Sequence, residues 1–592
     1  MIAALLVSSI SIAQVATINI TNINTNVMSN TKLLFGITFD ARTSLIGNST
    51  YGQIGYYDAS GVVIPQVDAL FNNFPMSTIR YPGNGIAVGF NWKKSIDTIG
   101  MTGPRPNQNL LGGLGAPQPV NFGFDEFMSM TAAEGMPASE VQIMVPIYDV
   151  STPGLTPTQA AAALPNVINL NADWVEYCNS PNDGSNPGGG KDWAAERAAN
   201  GHPAPYGIKI WNIGNEPWSG LEFGPSNINC NSYLTSVTPI INAMLAIDPT
   251  LKITLPTTGN ATSSLSWSYA LLNSSLVSSG KVFALSQHFF GDEHLSTSGP
   301  GVNASSIFLD NLISASAIKG VKVFVGDYAH SIFTPNPTIA QQDSAMQWLG
   351  ANYEADFLLM LSQKSTIERA NFWAYGNAYA AWHPIRINFT GDYTLMPAAA
   401  IYKILFPAFL DNSVQVSTSS PSASDGNPYA IRSNAFVSND MNYLNVVSVN
   451  RDKNNSVPLQ VGGVMGYTLS NARILTATNL NSEIIVESTA TTNISGDYIM
   501  PPMSVLILEY INPSVGISEA VINNKNITIY PNPSTGLLTF SEPLKNVVIY
   551  NNYGQIVLVK KEPTKNISTE GLQNGSYIII SNKGIFKFIV AN

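Results

Sequence analysis

The chain reads as an α/β protein: a (β/α)8 barrel followed by an antiparallel β-sandwich and a small all-β C-terminal module. Two observations predict this. Eight short, β-branched apolar runs recur over about 340 residues with helical stretches between them, the pattern of a parallel barrel with long loops at one end. From about Lys403 to Leu508 the helical period vanishes, and alternating segments such as Asn442–Val449 and Met503–Glu509 replace it.

The runs Leu33–Asp40, Ser77–Tyr81, Gln142–Tyr148 and Ile208–Glu216 are the first four barrel strands. Lys252–Leu255, Phe283–His288, Val321–Asp327 and Ala370–Tyr375 are the second four. Helices are expected over Phe124–Glu134, Ala160–Cys178 and Asp343–Leu361, and Ser180–Gly190 is a turn-dense insertion rich in Pro, Gly and Asn. The barrel is thus placed at 30–402 and the sandwich at 403–511, with Ile18–Ile23, inside 15–29, a candidate extra strand for it. A break at Asn512-Pro-Ser514 opens the last module, 512–592. Met1–Gln14 has the apolar region of a signal peptide (1–13), with small residues for cleavage around Ala13. The basic residue expected before it is missing, which points to a start upstream of Met1.

Charged residues make up only 11% of the 592, against about 25% in ordinary globular proteins. With 45% hydrophobic residues the chain still has enough apolar surface to fold. A net charge of −10 and a pI near 5.0 exclude the basic footprint that nucleic acid requires. Uncharged polysaccharide is compatible with that balance. No apolar run reaches the length of a transmembrane segment; the longest candidate, Met396–Leu410, is interrupted by Lys403. The two cysteines, Cys178 and Cys230, fall at opposite ends of the barrel and are expected to be unpaired thiols.

The fourth strand carries the most informative chemistry. Its run Gly207–Ile213 ends abruptly in Gly214-Asn215-Glu216-Pro217, where proline stops the strand. A carboxylic acid with an amide beside it then sits at the C-terminal tip of a barrel strand, where catalytic groups of this fold are found. An Asn-Glu-Pro at this place resembles the acid/base signature of the large clan of retaining glycoside hydrolases built on (β/α)8 barrels. Glycosidic cleavage needs two carboxyl groups flanking the bond, one to protonate the leaving oxygen and one as nucleophile or base. Glu216 is the candidate donor, with Trp211 and Trp218 expected to raise its pKa, and Asn215 is placed to bind the sugar 2-hydroxyl. The second carboxylate is assigned to Asp327, the only acid at the end of the seventh strand. Glu293, with Asp292 beside it, is a distant second; Glu354 and Glu368 are expected to face the outer ring or the bottom.

No cofactor and no metal are indicated. The five histidines are scattered without a His-x-x-x-His pair, and His288 with Asp292, Glu293 and His294 is a weak cation candidate. Neither a glycine-rich phosphate loop nor a Gly-x-Ser-x-Gly elbow occurs.

Arg80-Tyr-Pro-Gly83, Asn91-Trp92, Arg105-Pro106, Phe124-Asp-Glu-Phe127, Trp174–Asn179, Arg197–Pro203 and Trp211–Pro217 follow one another as in glycoside hydrolase family 51. The chain from about residue 33 to 510 therefore resembles the α-L-arabinofuranosidases of that family. The resemblance implies removal of arabinofuranosyl groups from plant-type polysaccharide, with Glu216 as acid/base and Asn215 as a sugar contact. It also implies that Arg80 holds the second carboxylate ionised, that His288 lies beside the sugar, and that Trp373 forms the pocket floor. Two positions depart from the family. Asp327 and Asp40 stand where it has Glu, and each shortening withdraws a carboxylate by about 1–1.5 Å. Retention, inversion and loss of activity are all open as consequences of the Asp327 change. The rival readings are a clan glycosidase of other specificity, such as a β-glucanase or xylan-active enzyme, and a glycan-binding protein whose catalysis has lapsed. The last module, with Ile529–Gly536, Val547–Gly554 and Leu572–Ile578, resembles the type A sorting domain of type IX secretion. That resemblance implies the type IX secretion machinery as partner and a protein exported across the outer membrane, then released or surface-attached.

Overall fold

The computed structural model describes residues 14–591 apart from 40, 42–55, 57–59, 72–73, 84–88, 109–116, 118, 152–153, 219–227, 259–264, 292–293, 295–300, 332–337, 376–384, 388–392, 514–526, 552–555 and 582. The expected signal peptide, Asp40, Asp292 and Glu293 lie outside the described residues. The chain divides into two units, one comprising Met1–Met465 with Leu469–Ile511 and the other comprising Gly466–Thr468 with Asn512–Asn592.

In the first unit, strand β1 (Ala16–Ser29) precedes the barrel strands β2 (Gly36–Phe39), β3 (Ile79–Tyr81), β4 (Val141–Val145) and β5 (Ile210–Ile213). They are followed by β6 (Lys252–Pro256), β7 (Ala284–Gly291), β8 (Lys322–His330) and β9 (Ile367–Tyr375). β2 to β9 close into a barrel in sequence order, every neighbouring pair parallel, with β9 back against β2. The strands are short and buried on both faces, which is why they read as apolar runs without alternation. Helices Phe124–Ala133, Pro157–Asn179 and Trp348–Ser362 occupy the expected connections. The helix Pro157–Asn179 starts with a capping box, in which Thr156 accepts from Gln159 N and the Gln159 side chain reaches back.

The β-sandwich region is one nine-stranded sheet. From one edge it runs Val486–Thr489, Thr468–Thr476, Ser504–Ile511, Tyr443–Asn450 and Ile431–Val437. It continues with Asn412–Ser419, β1, Val457–Gly462 and Tyr498–Met500. β1 runs parallel to Val457–Gly462 and antiparallel to Asn412–Ser419. The helix Trp348–Ser362 joins barrel to sheet: Trp348 Nε1 donates to Met503 O at 2.8 Å, and Arg432 Nε pairs with Asp356 at 2.6 Å. All fifteen of its residues are buried, so it has no polar face.

The second unit is all-β, with a three-stranded sheet and a four-stranded sheet ordered Ile556–Lys560, Val547–Tyr550, Gly575–Ser581, Gly584–Val590. Its own core includes Leu538, Phe540, Val547, Ile549, Ile579 and Phe588. Cys178 and Cys230 are free and buried, and burial pushes their thiols up, that of Cys230 to about 11. No helix among the described residues is long and apolar enough to cross a membrane.

Candidate active site

β5 gives out at Ile213, and the chain turns through Gly214 (φ 84°) and Glu216 (φ 46°). A non-glycine residue in the left-handed region costs on the order of 1–3 kcal/mol and is typical of functional sites. The turn presents Asn215 and Glu216 at the C-terminal end of the barrel.

Four other strands send side chains to the same place. Arg80 on β3 is buried, and its Nη1 donates to Asp327 Oδ2 at 2.5 Å while Nη2 donates to Asn215 Oδ1 at 2.8 Å. Asp327 on β8 is fully buried, and Thr38 Oγ1 on β2 donates to its other oxygen. His288 on β7 touches both acids: Nδ1 lies 2.6 Å from Glu216 Oε1, and Nε2 lies 3.7 Å from Asp327 Oδ2. Arg80 Nη2 stands 3.4 Å from His288 Nε2, and guanidinium can only donate. Nε2 is therefore the acceptor, which leaves Nδ1–H to donate to Glu216.

A β-bulge makes this possible. Along β7 and β8, Gln287 pairs with Val325 but His288 pairs with Asp327, so Gly326 is the extra residue. A Cβ on Gly326 would lie 2.2 Å from Ser286 Oγ and 2.8 Å from His288 Nε2. Only glycine leaves room for the imidazole.

The electrostatics correct one expectation. Burial favours the neutral form of Glu216, but the hydrogen bond from His288, with the charge of Arg80 behind it, outweighs this and holds the carboxyl below its usual range. The two tryptophans expected to raise it are engaged elsewhere. Asn212 faces the barrel interior, where Thr254 Oγ1 donates to it, so the neighbouring Trp211 points outward onto Trp174, with ring centroids 5.9 Å apart. Trp218 packs edge-on against Trp267. Replacing His288 with Phe removes that donor. A carbon-13 NMR titration of the Glu216 carboxyl is then expected to move up in pH, and an unmoved titration would show that His288 does not set it.

Trp373 on β9 is buried against Ala329 and Phe290, on the strands that carry Asp327 and His288. Asp40 lies outside the described residues. Glu354 corrects a second expectation. Its helix belongs to the outer ring, but the side chain turns inward and accepts from His330 N at 2.8 Å, at the tip of β8. Thr38, Gly326 and Asn371 were not singled out by the sequence, although a threonine within the short apolar strand β2 was a visible signal for one of them. No group of three His, Cys, Asp or Glu among the described residues is placed to hold a metal.

Several motifs behind the family resemblance converge elsewhere. Arg105 grips Glu126 through both terminal nitrogens at 2.7 and 2.9 Å. Asp125 accepts from Tyr177 and Tyr206 at 2.8 Å each and from Asn200 at 3.1 Å. Arg197 donates to the carbonyls of Tyr177, Ser180 and His202. A cavity of about 620 Å³ beside this cluster, lined by Tyr56, Asp97, Arg105, Glu126 and His202 among others, shares no residue with the Glu216 site. These motifs build the barrel flank.

Residues 70–294 match the model of the alpha-L-arabinofuranosidase 1 domain. That stretch is similar to an alpha-L-arabinofuranosidase domain. The match takes in Arg80, Asn215, Glu216 and His288 and stops short of Asp327. Residues 528–590 match the secretion system C-terminal sorting domain. Alpha-L-arabinofuranosidase C of Emericella nidulans is 26% identical over 199 residues, 34% of this chain and 32% of that one. Intracellular exo-alpha-(1->5)-L-arabinofuranosidase 1 of Bacillus subtilis is 31% identical over 155 residues, 26% of this chain and 25% of that one. The chain thus spans about a third or less of the length of these curated relatives. Among solved structures, a family 51 alpha-L-arabinofuranosidase from Bifidobacterium longum superposes with a TM-score of 0.64 at 17% identity, covering 84% of this chain and 99% of that one. The alpha-L-arabinofuranosidase from Thermotoga maritima in its arabinose complex gives 0.61 at 18%, covering 83% and 99%. At such identities the likeness shows the fold alone, that of the barrel and the sheet that follows it.

Proposed function

We propose that this protein is an exported glycoside hydrolase that removes non-reducing-end α-L-arabinofuranosyl groups from plant-type polysaccharide by a two-carboxylate mechanism. The observation that carries the reading is the cluster in which His288 contacts Glu216 through one nitrogen and Asp327 through the other. Glu216, on a strained strand tip and partly open to solvent, serves as the acid/base. Asp327, held by Arg80 and Thr38, is the second carboxylate. Asn215, fixed by Arg80, presents its amide to the sugar, and Trp373 completes the pocket. The sorting domain supports delivery through the type IX machinery, with the product released or held at the cell surface.

Catalysis starts from an ionised Glu216 paired with His288. Protonating the leaving oxygen requires that Glu216 first take up a proton, and the enclosing sugar favours this by excluding water from the pair. The full chain is expected to release arabinose from an aryl α-L-arabinofuranoside and from arabinan. Proton NMR of the anomer released first then distinguishes a retaining from an inverting course, which correspond to carboxyl separations of about 5–5.5 Å and about 6.5–9.5 Å. The complete burial of Asp327 favours one rival, a glycan-binding protein without turnover. Binding of arabinan with no arabinose released by the wild type would choose that rival.

A further inference from the structure

Asp327 follows an irregular step in β8, beyond which the strand resumes its pairing with β7. The bulge at Gly326 interrupts its pairing with β7, and its pairing with β9 is shifted between Val325 and Tyr328. An extra residue in a strand leaves backbone groups without ladder partners and bends the chain locally. Side chains from two other elements meet backbone groups of this segment, one on each side of Asp327.

On one side is Asn371 on β9, fully buried, whose Nδ2 donates to Gly326 O at 2.9 Å. A carbonyl can only accept, so the amide must turn its nitrogen that way. Asn371 Oδ1 in turn receives Gln142 Nε2 from β4 at 2.9 Å, across the barrel interior, and this locks the orientation. On the other side Glu354 accepts from His330 N, and it too is fully buried. Burial pushes its carboxyl well above the usual carboxylate range, and its Oε1 receives the N–H. Its helix is otherwise packed from all sides, and a polar side chain there costs stability unless its hydrogen bond is used.

We propose that Asn371 and Glu354 are positioning residues for Asp327. They clamp the bulged segment from Gly326 to His330 at both ends, and so set the depth of the Asp327 carboxylate against Arg80 and His288. The inference rests on the reading of Asp327 as the second catalytic carboxylate.

The test compares Glu354→Gln with Glu354→Leu in the full chain. Gln keeps an uncharged acceptor of nearly the same shape, whereas Leu keeps bulk and removes the acceptor. For Leu, kcat on an aryl arabinofuranoside should fall about tenfold or more, towards the roughly 100-fold that a 1 Å misplacement can cost, with KM little changed. For Gln, kcat should stay near wild type and the pH profile should keep its shape. Hydrogen exchange of the peptide spanning 325–331 is measured in parallel and should quicken in the Leu variant alone. Leu with wild-type kcat and exchange overturns the proposal, as does Gln impaired as badly as Leu. If the Leu variant does not fold, Asn371→Asp takes its place, because it turns an acceptor towards the Gly326 carbonyl. A lowered kcat with quickened exchange then supports the clamp, and wild-type values of both overturn it. A wild type that hydrolyses no glycoside defeats the functional reading, while the exchange measurement still tests the clamp.

Discussion

Glu216→Gln is expected to lower kcat/KM on arabinan by about 10²–10⁴-fold, the range of a general acid–base contribution, and to leave the fold unchanged. Gln is nearly isosteric, and its Oε1 still accepts from His288 Nδ1, where Glu216 now sits at 2.6 Å. What it cannot do is carry a proton to the leaving oxygen. The loss should therefore depend on the leaving group: severe for a sugar alcohol, much milder for a dinitrophenol, which departs without protonation. A loss of equal size on both substrates would mean that Glu216 is not the acid. The lowered pKa of Glu216 adds a pH signature. Since kcat/KM reports the free protein's ionisations, it should climb as the pH falls and the protonated fraction grows. Stability runs the opposite way. A carboxyl depressed in the folded state contributes stability above its unfolded value, about 4.3 for Glu, and that contribution is lost as pH falls through the folded value. Glu216→Gln should flatten both dependences.

Much of this was legible in the residues, and the parts that were not have identifiable causes. The barrel strands are buried on both faces and so announce themselves as apolar β-branched runs, and proline marks where β5 must stop. The assignments of Arg80, Asn215, Glu216, His288 and Asp327 came from strand tips and motif order, and the structure brings all five together. The ends of β7 and β8 were read three residues short, because a bulge at Gly326 lets pairing run on to Gly291 and His330, and a bulge leaves no periodic trace. The direction of the Glu216 shift was misread from neighbours in sequence. Period two alone puts Asn212 inside and Trp211 outside, so the tryptophan was never a neighbour in space. Glu354 was hidden for a different reason: a helix buried all round has no polar face to say which side meets the barrel.

Arg80→Met is expected to destabilise the protein by about 3–5 kcal/mol, the cost of leaving a buried charge without its partner, and to abolish turnover. Arg80 and Asp327 are both withdrawn from solvent, with side chains 1% and 0% exposed. Without the guanidinium, Asp327 keeps, among the described residues, the Thr38 hydroxyl and a His288 nitrogen at 3.7 Å, and Asn215 Oδ1 loses a donor at 2.8 Å. Lys cannot substitute, because a single ammonium does not present two parallel donors to a carboxylate and an amide at once. Charge and geometry are separable by a second change. In Arg80→Met/Asp327→Asn the stranded charge is gone, so stability should recover by a large part of the single variant's loss, while activity should not return at all. The pH dependence follows the same logic. A carboxyl stranded in the folded state binds a proton more readily there than in the unfolded chain, so folding is coupled to proton uptake. The deficit of Arg80→Met should therefore shrink between pH 7.5 and pH 5, whereas that of the double variant should not follow this trend. Urea unfolding of the three proteins at both pH values measures this directly. If single and double variants lose stability equally at pH 7.5, Arg80 acts by packing, and the buried ion pair is not what holds Asp327 ready.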